Sequence, residues 1–279
     1  MTLGETIKYY RTQLNLSQAE LADKIGVSRQ AVTKWETDTG IPDINNIQIL
    51  AKLFHISIDT LLSSDHHVQS LYESKIEYDI DVLKDFDINL GTLGKVNIEG
   101  YEGEKLIIQL SSSIHKGLQK DFKIKLDDNK ARLDIDLETK EFITKNQRRD
   151  INISILLPVQ YIRKLECNVL PTSMSVSHIH SDSIELDIKT SSLKLMDISG
   201  HIEIDCNIDM VITIDAVHGK LDLNSVRCSS QLNITSSCLF NTITKGIKTK
   251  IIYAGDIDED SDNQIELNGI ISELVIKAD

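Results

Sequence analysis

The chain has 279 residues, 41% of them hydrophobic, with only 3 prolines and 13 glycines. That is enough apolar surface for a packed core, and it excludes a disordered or collagen-like chain. No apolar run approaches the ~18 residues needed to span a bilayer. The opening Met-Thr-Leu-Gly-Glu has neither the basic start nor the apolar stretch of a secretion signal. A cytoplasmic protein without membrane insertion is therefore expected. The net charge of −13 argues against nucleic-acid binding by the chain as a whole, but it is unevenly spread. Positions 1–64 hold six Lys and Arg against seven Asp and Glu, and the remainder holds 24 against 36. A near-neutral N-terminal segment can carry a local basic face, while the acidic bulk should repel DNA.

Positions 1–64 predict five short helices. Leu3, Ile7, Tyr10 and Leu14 fall at helical spacing, and Asn15 breaks the pattern. Ser17 with Glu20 three positions on forms a capping box for a second helix, which carries Leu21, Ala22 and Ile25 and stops at Gly26. Ser28 caps a third helix reaching Glu36, with Ala31, Val32 and Trp35 turned inward. Pro42 and Asp43 precede a fourth, whose apolar face is Ile47, Leu50, Ala51 and Phe54, and Ser57 opens a fifth ending near Leu62. Residues 1–64 form one expected domain and 65–74 a linker.

Beyond residue 75 the period falls to two, as in half-buried strands. Apolar pairs recur from Ile184, Leu193, Ile202, Ile212, Leu221 and Leu232, in steps of 9, 9, 10, 9 and 11 along the chain. Such regular short strands predict an all-β repeat domain over 75–279, a β-solenoid or β-roll with a β-sandwich as the alternative. The fold class is then α+β as two separate domains. Lys145, Arg148 and Arg149 read as a solvated loop.

Residues 16–36, LSQAELADKIGVSRQAVTKWE, carry the sharpest signal. Two short helices meet at Gly26-Val27, where glycine accepts the positive φ of a helix end. Ala22 is small where the helices must approach. This is helix-turn-helix geometry, whose second helix enters the major groove of double-stranded DNA. Ser28, Arg29, Gln30, Thr33 and Lys34 lie on the outer face of that helix as candidate base contacts. Arg pairs with guanine O6 and N7, and Gln with adenine N6 and N7. Ser17, Gln18 and Asn45 sit at helix starts, where free amides and the positive dipole end favour a phosphate.

These residues closely resemble the Xre/Cro-type helix-turn-helix domain of phage repressors and bacterial regulators, over residues 1–64. The resemblance implies a sequence-specific transcriptional regulator, with repression as its default action. It also implies base reading by Ser28, Arg29, Gln30, Thr33 and Lys34, a phosphate contact from Gln18, and a structural ion pair between Arg11 and Glu36. A homodimer is expected, because one such domain reads only a half-site. The run from Leu90 to Gly100 and the short strands after it resemble the bacterial β-repeat family named putative adhesins, over roughly 80–279. The acidic domain would then serve sensing, oligomerisation or an unidentified protein or ligand partner. A protein of another class, a cell-envelope scaffold using its helices for protein docking, is the alternative.

No enzyme motif is present: no Gly-rich phosphate loop, no Gly-x-Ser-x-Gly, no His-Glu-x-x-His. No cofactor or metal is expected. His178, His180, Cys206 and His218 could approach a metal in a stacked fold, but no close-spaced ligand quartet appears. Asp256, Asp258, Glu259, Asp260 and Asp262 lack EF-hand spacing and read as a solvated loop. His66-His67 belongs to the linker, and Cys167, Cys206, Cys228 and Cys238 read as reduced and partly buried.

Overall fold

The computed structural model describes residues 2–13, 16–54, 58, 61, 72–234, 240–254 and 260–278. It divides into two compact units, Met1–Leu71 and Tyr72–Asp279. Of the expected fifth helix from Ser57 to Leu62 only Ile58 and Leu61 are described, both helical, with Leu61 buried in the core. The break at Asn15, His66-His67, Cys238, and Asp256, Asp258 and Glu259 of the acidic run lie outside the described residues.

The first unit is helical: α1 (Leu3–Gln13), α2 (Gln18–Ile25), α3 (Arg29–Glu36) and α4 (Ile44–Phe54). The helix signals read from the sequence act as expected. Ser17 Oγ accepts from Glu20 N at 3.2 Å while Glu20 Oε2 accepts from Ser17 N at 2.7 Å. Gly26 ends α2 at φ 73°, and Ser28 Oγ accepts from Ala31 N at 3.2 Å to start α3. Asp43 starts α4 by accepting from Asn46 N at 2.9 Å. The apolar stripes close one core of Ile7, Leu21, Ala22, Ile25, Val32, Trp35, Ile47, Leu50, Ala51 and Phe54. Tyr10 stacks on Phe54 with ring centroids 5.5 Å apart.

The second unit is a large β domain. Its strands are β1 (Tyr72–Asp79), β2 (Lys84–Tyr101), β3 (Lys105–Ser112), β4 (Phe122–Asn129), β5 (Arg132–Thr139), β6 (Ile151–Pro158), β7 (Ile162–Ile188) and β8 (Ser192–Cys206). They continue as β9 (Val211–Val226), β10 (Ser229–Ile234), β11 (Asn241–Ile247), β12 (Lys250–Ala254), β13 (Gln264–Ile270) and β14 (Glu273–Ala278). The first of them begins within the stretch expected to be linker. Antiparallel pairs β1–β3, β3–β6 and β4–β5 lie toward the N-terminal side. From β2 through β7, β8 and β9 onward the pairing is parallel.

The short strands of the sequence pattern are halves of longer ones, since the runs at Leu193 and Ile202 both lie on β8. Each run pairs not with its sequence neighbour but with the run two places on. Ile184 faces Ile202, and Ile202 faces Leu221. Met174 faces Leu193, and Leu193 faces Ile212. The repeat is therefore two runs long, as in the successive members 184, 202 and 221 of one row. Where a strand turns between its halves, residues such as Asp197 and Ala216 take positive φ of 52° and 53°. Gly200 and Gly219 follow them. A Cβ on Gly219 would lie 2.4 Å from the Gly200 carbonyl oxygen, and Gly219 has φ 108°. Glycine is needed there twice over, for contact and for conformation.

Inward side chains stack in columns. Ile184, Ile202, Leu221 and Ile265 form one column, and Leu186, Ile204, Leu223 and Leu267 the next, all buried. Strand order departs from chain order at the C-terminal end. β13 lies between β9 and β11, and β14 lies between β10 and β12. The segment following β12 thus inserts under a pair of strands that precedes it in the chain.

One expectation needs correcting here. Arg148 is not a solvated loop cation. Its guanidinium donates to the carbonyl oxygens of Leu90 at 2.6 Å and Thr92 at 3.1 Å, and burial pushes its pKa down. Lys145 and Arg149 are exposed as expected.

Candidate nucleic-acid interface

The third helix buries one face and exposes the other. Val32 and Trp35 enter the core, 0% and 7% exposed, while Ser28, Arg29, Gln30, Thr33 and Lys34 are exposed. The five candidate base readers therefore share the solvent side of one helix, beginning at its N-cap. Arg29 and Lys34 supply the cations of that face.

A polar network behind this face joins three helices. Glu36 is buried, its side chain 2% exposed, and Arg11 from α1 is 11% exposed beside it. Arg11 Nε donates to Glu36 Oε1 at 2.6 Å and Nη2 to Oε2 at 3.0 Å, a bidentate pair. Hydrogen bonding to Glu36 raises the Arg11 pKa, with burial opposing it and Coulomb attraction assisting. Arg11 also donates from Nη1 to the Leu16 carbonyl at 2.7 Å, fixing the turn into α2. Gln18 Nε2 donates to Glu36 Oε2 at 2.9 Å, and Gln18 Oε1 accepts from Thr33 Oγ1 at 3.1 Å. The pair expected between Arg11 and Glu36 is present. What the sequence did not reveal is that Gln18 belongs to the same network. The capping pattern could place Gln18 at a helix start, but nothing local says which way its amide turns.

The three candidate phosphate contacts are not alike. Ser17 is exposed at the α2 start, but Glu20 already occupies its backbone amide. Hydrogen bonds to Ser17 hold the Glu20 carboxyl below its usual pKa. Asn45 is exposed on the first turn of α4, whose start Asp43 caps by accepting from Asn46 N. Both helix starts thus carry an acidic cap, which competes with phosphate for the dipole end. Gln18 is half-buried, and its second amide N–H is its remaining donor.

The metal candidates are not brought together. His180 and His218 flank Ser199 on one outward row, and His180 Nδ1 lies 2.8 Å from Ser199 Oγ. His178 Nδ1 lies 3.7 Å from Glu99 Oε1. Cys206 turns into the core at 2% exposure. Among the described residues no group of three or more His, Cys, Asp or Glu is placed to hold a metal. Cys167, Cys206 and Cys228 are unbridged and buried, and burial raises all three thiol pKa values. Among the described residues no helix is long and apolar enough to cross a membrane.

The helix-turn-helix family profile matches residues 7–61. Over 65 residues the chain is 38% identical to the HTH-type transcriptional activator BcrR of Enterococcus faecalis, covering 23% of this chain and 32% of that protein. The chain thus spans about a third of that relative's length. It is 35% identical to the P22 c2 repressor solved in complex with a synthetic operator, covering 23% of this chain and 98% of that one, with a TM-score of 0.23. The C-terminal region is similar to a putative cell adhesion protein solved from Clostridium sporogenes ATCC 15579. That match is 15% identical, covers 74% of this chain and 100% of the other, and has a TM-score of 0.40.

Proposed function

The chain belongs to the helix-turn-helix family, and from that premise we propose that it is a sequence-specific, double-stranded-DNA-binding regulator of transcription acting as a repressor of its own promoter. The observation that carries the proposal is the outward row Ser28, Arg29, Gln30, Thr33 and Lys34, held on a helix whose other face is locked by Val32 and Trp35. A helix fixed in this way can enter the major groove with its first two turns against the bases. Arg29 and Gln30 supply bidentate donors and acceptors for guanine and adenine, and Lys34 a further cation one turn later. Gln18, Ser17 and Asn45 meet phosphates through side-chain donors rather than through free helix-end amides, because Glu20 and Asp43 cap those ends. The family profile and the transcriptional activator named above support the regulatory reading.

The β domain acts as a β-solenoid that senses a signal or binds a partner. Its support is the parallel register with a repeat two runs long. The working form is a cytoplasmic homodimer, since paired domains read two half-sites and multiply affinity without new contacts. No catalytic role is part of this reading.

Trp35, the single tryptophan, lies on the core side of α3, behind the candidate interface, so its fluorescence reports the state of that helix while DNA anisotropy reports binding. The full chain is titrated with DNA from its own upstream region and with random DNA at two salt concentrations, following Trp35 fluorescence and the anisotropy of labelled DNA. Tight, steeply salt-dependent binding to the upstream DNA with weak binding to random DNA is expected. Equal weak binding to both overturns autoregulation. Co-fractionation with the cell envelope instead of DNA favours the scaffold role.

A further inference from the structure

Donor and acceptor counting around Gln18 fixes which way one hydroxyl on the exposed face of α3 can bond. Glu36 is a carboxylate clamped by Arg11 at 2.6 and 3.0 Å, and a carboxylate only accepts. The Gln18 atom 2.9 Å from Glu36 Oε2 is therefore the amide nitrogen. That turns the amide oxygen toward Thr33, 3.1 Å from its hydroxyl. An amide oxygen also only accepts, so the Thr33 hydroxyl donates. The other acceptor beside it is the Arg29 carbonyl oxygen at 3.0 Å, which competes for the same proton. In either arrangement the one hydroxyl proton of Thr33 is used inside the protein. The sense of the whole chain runs from Thr33 through Gln18 to Glu36, and it is set by the buried Arg11–Glu36 pair.

We propose that Thr33 reads DNA as an acceptor only. Its lone pair and its methyl group are what it offers to the major groove. It selects a base edge that presents an amino group, adenine N6 or cytosine N4, or a thymine methyl, and it rejects guanine, whose edge presents only the O6 and N7 acceptors. Gln18 Oε1 and the Arg29 carbonyl are the two acceptors that keep the Thr33 proton inside the protein. The inference rests on the DNA-reading role given to α3 above and adds what one of its residues recognises.

The test selects bound sequences from a randomised double-stranded DNA pool with the full chain and compares base preferences position by position. Wild type is expected to disfavour guanine at one position by roughly tenfold or more relative to the best base there. Thr33→Val, which keeps the size and the methyl group but replaces the hydroxyl acceptor with a second methyl, should move that one position toward thymine and leave the others unchanged. Thr33→Ser keeps the acceptor and should keep the rejection of guanine. Gln18→Leu leaves the Arg29 carbonyl to take the Thr33 proton and should keep the rejection of guanine at the same position. Trp35 fluorescence checks that each variant is folded. A Thr33→Val profile identical to wild type at every position overturns this proposal alone. So does guanine being preferred at the position the variant alters. A wild-type selection that enriches no sequence overturns the DNA-reading role and this proposal together.

Discussion

Replacing Glu36 with Ala should cost far more than its place on a small, mostly polar helix end suggests. The substitution removes both acceptors of Arg11 and the acceptor of Gln18 at once. Arg11 is left as a cation 11% exposed with only the Leu16 carbonyl to bond and no carboxylate opposite it. Breaking a buried pair from one side costs about 3–5 kcal/mol, against about 0–1 kcal/mol for a solvated surface pair. A helical domain of this size holds about 3–10 kcal/mol in all, so the loss is comparable with the whole. It should lower the melting point of the domain by more than about 12 °C.

Trp35 isolates the effect, being the only tryptophan and 7% exposed in the helical core. Its fluorescence follows the first domain alone, while far-UV circular dichroism contains both domains and shows the β domain as the transition that fluorescence lacks. The Trp35 transition should fall steeply in Glu36→Ala while the β transition stays in place. The double replacement Arg11→Met with Glu36→Leu removes both charges and should recover to within about 1–2 kcal/mol of wild type. A Glu36→Ala shift below about 5 °C would mean that water reaches the pair, and the buried-network argument would be wrong.

Two positions of one turn, Ala216 and Gly219, should respond differently in the β domain. Gly219→Ala places a Cβ against the Gly200 carbonyl at φ 108° and should cost about 2 kcal/mol or more, read by urea unfolding, while Ala216→Gly at φ 53° should stay within about 1 kcal/mol. An acid titration of the same domain tests its outward charges. Burial pushes the Asp222 pKa up, but hydrogen bonds from Lys220 and His201 outweigh it and leave it below the usual value, and a hydrogen bond from Lys245 lowers Glu266. Both carboxylates therefore stabilise the fold above their unfolded pKa values, near 4, and that contribution is lost as the pH falls through their lower folded values. Asp222→Asn should destabilise at pH 7 and converge with wild type near pH 2; a gap that stays constant refutes the pairing. Deleting residues 264–278 should strip hydrogen-exchange protection from β11 and β12 and spare β7 and β8, because β13 and β14 are the described strand partners of that pair. Retained protection would mean that β11 and β12 re-pair directly onto β9 and β10.

The helical domain was legible because its determinants are local. Ser17, Glu20, Gly26 and Ser28 each act on their near neighbours in the chain, so their spacing carries the whole signal. The β domain was legible only by halves. Alternation states which face a residue occupies, not which strand it pairs with. The period of nine to eleven was visible, yet its pairing two runs apart was not, because Leu193 and Ile202 look alike one at a time: Leu193 stacks on Ile212 and Ile202 on Leu221. The turns were also silent. Asp197 and Ala216 adopt positive φ without the glycine that usually announces it. Gln18 and Arg148 escaped for a related reason. Each is polar and locally inconspicuous, and only the distant carbonyls and carboxylate they meet turn them inward.

The inserted C-terminal strands do leave one trace in the residues themselves. Along the column Ile184, Ile202, Leu221, Ile265, the next member is Thr242, and along Leu186, Ile204, Leu223, Leu267 it is Thr244. Thr242 is half-buried and Thr244 exposed, whereas the aliphatic members are buried. A residue with a neighbour on one side only loses less by being polar, and arrays of stacked repeats need such a polar end for solubility. If chain order were spatial order, Ile265 and Leu267 would form the end and Thr242 and Thr244 would sit between aliphatic layers, leaving two hydroxyls in the core. The polarity of the column therefore favours the inserted order over the sequential one. It marks β11 as the outermost member of its ladder among the described strands, although two more strands of the β domain, β13 and β14, lie beyond β12 in the chain.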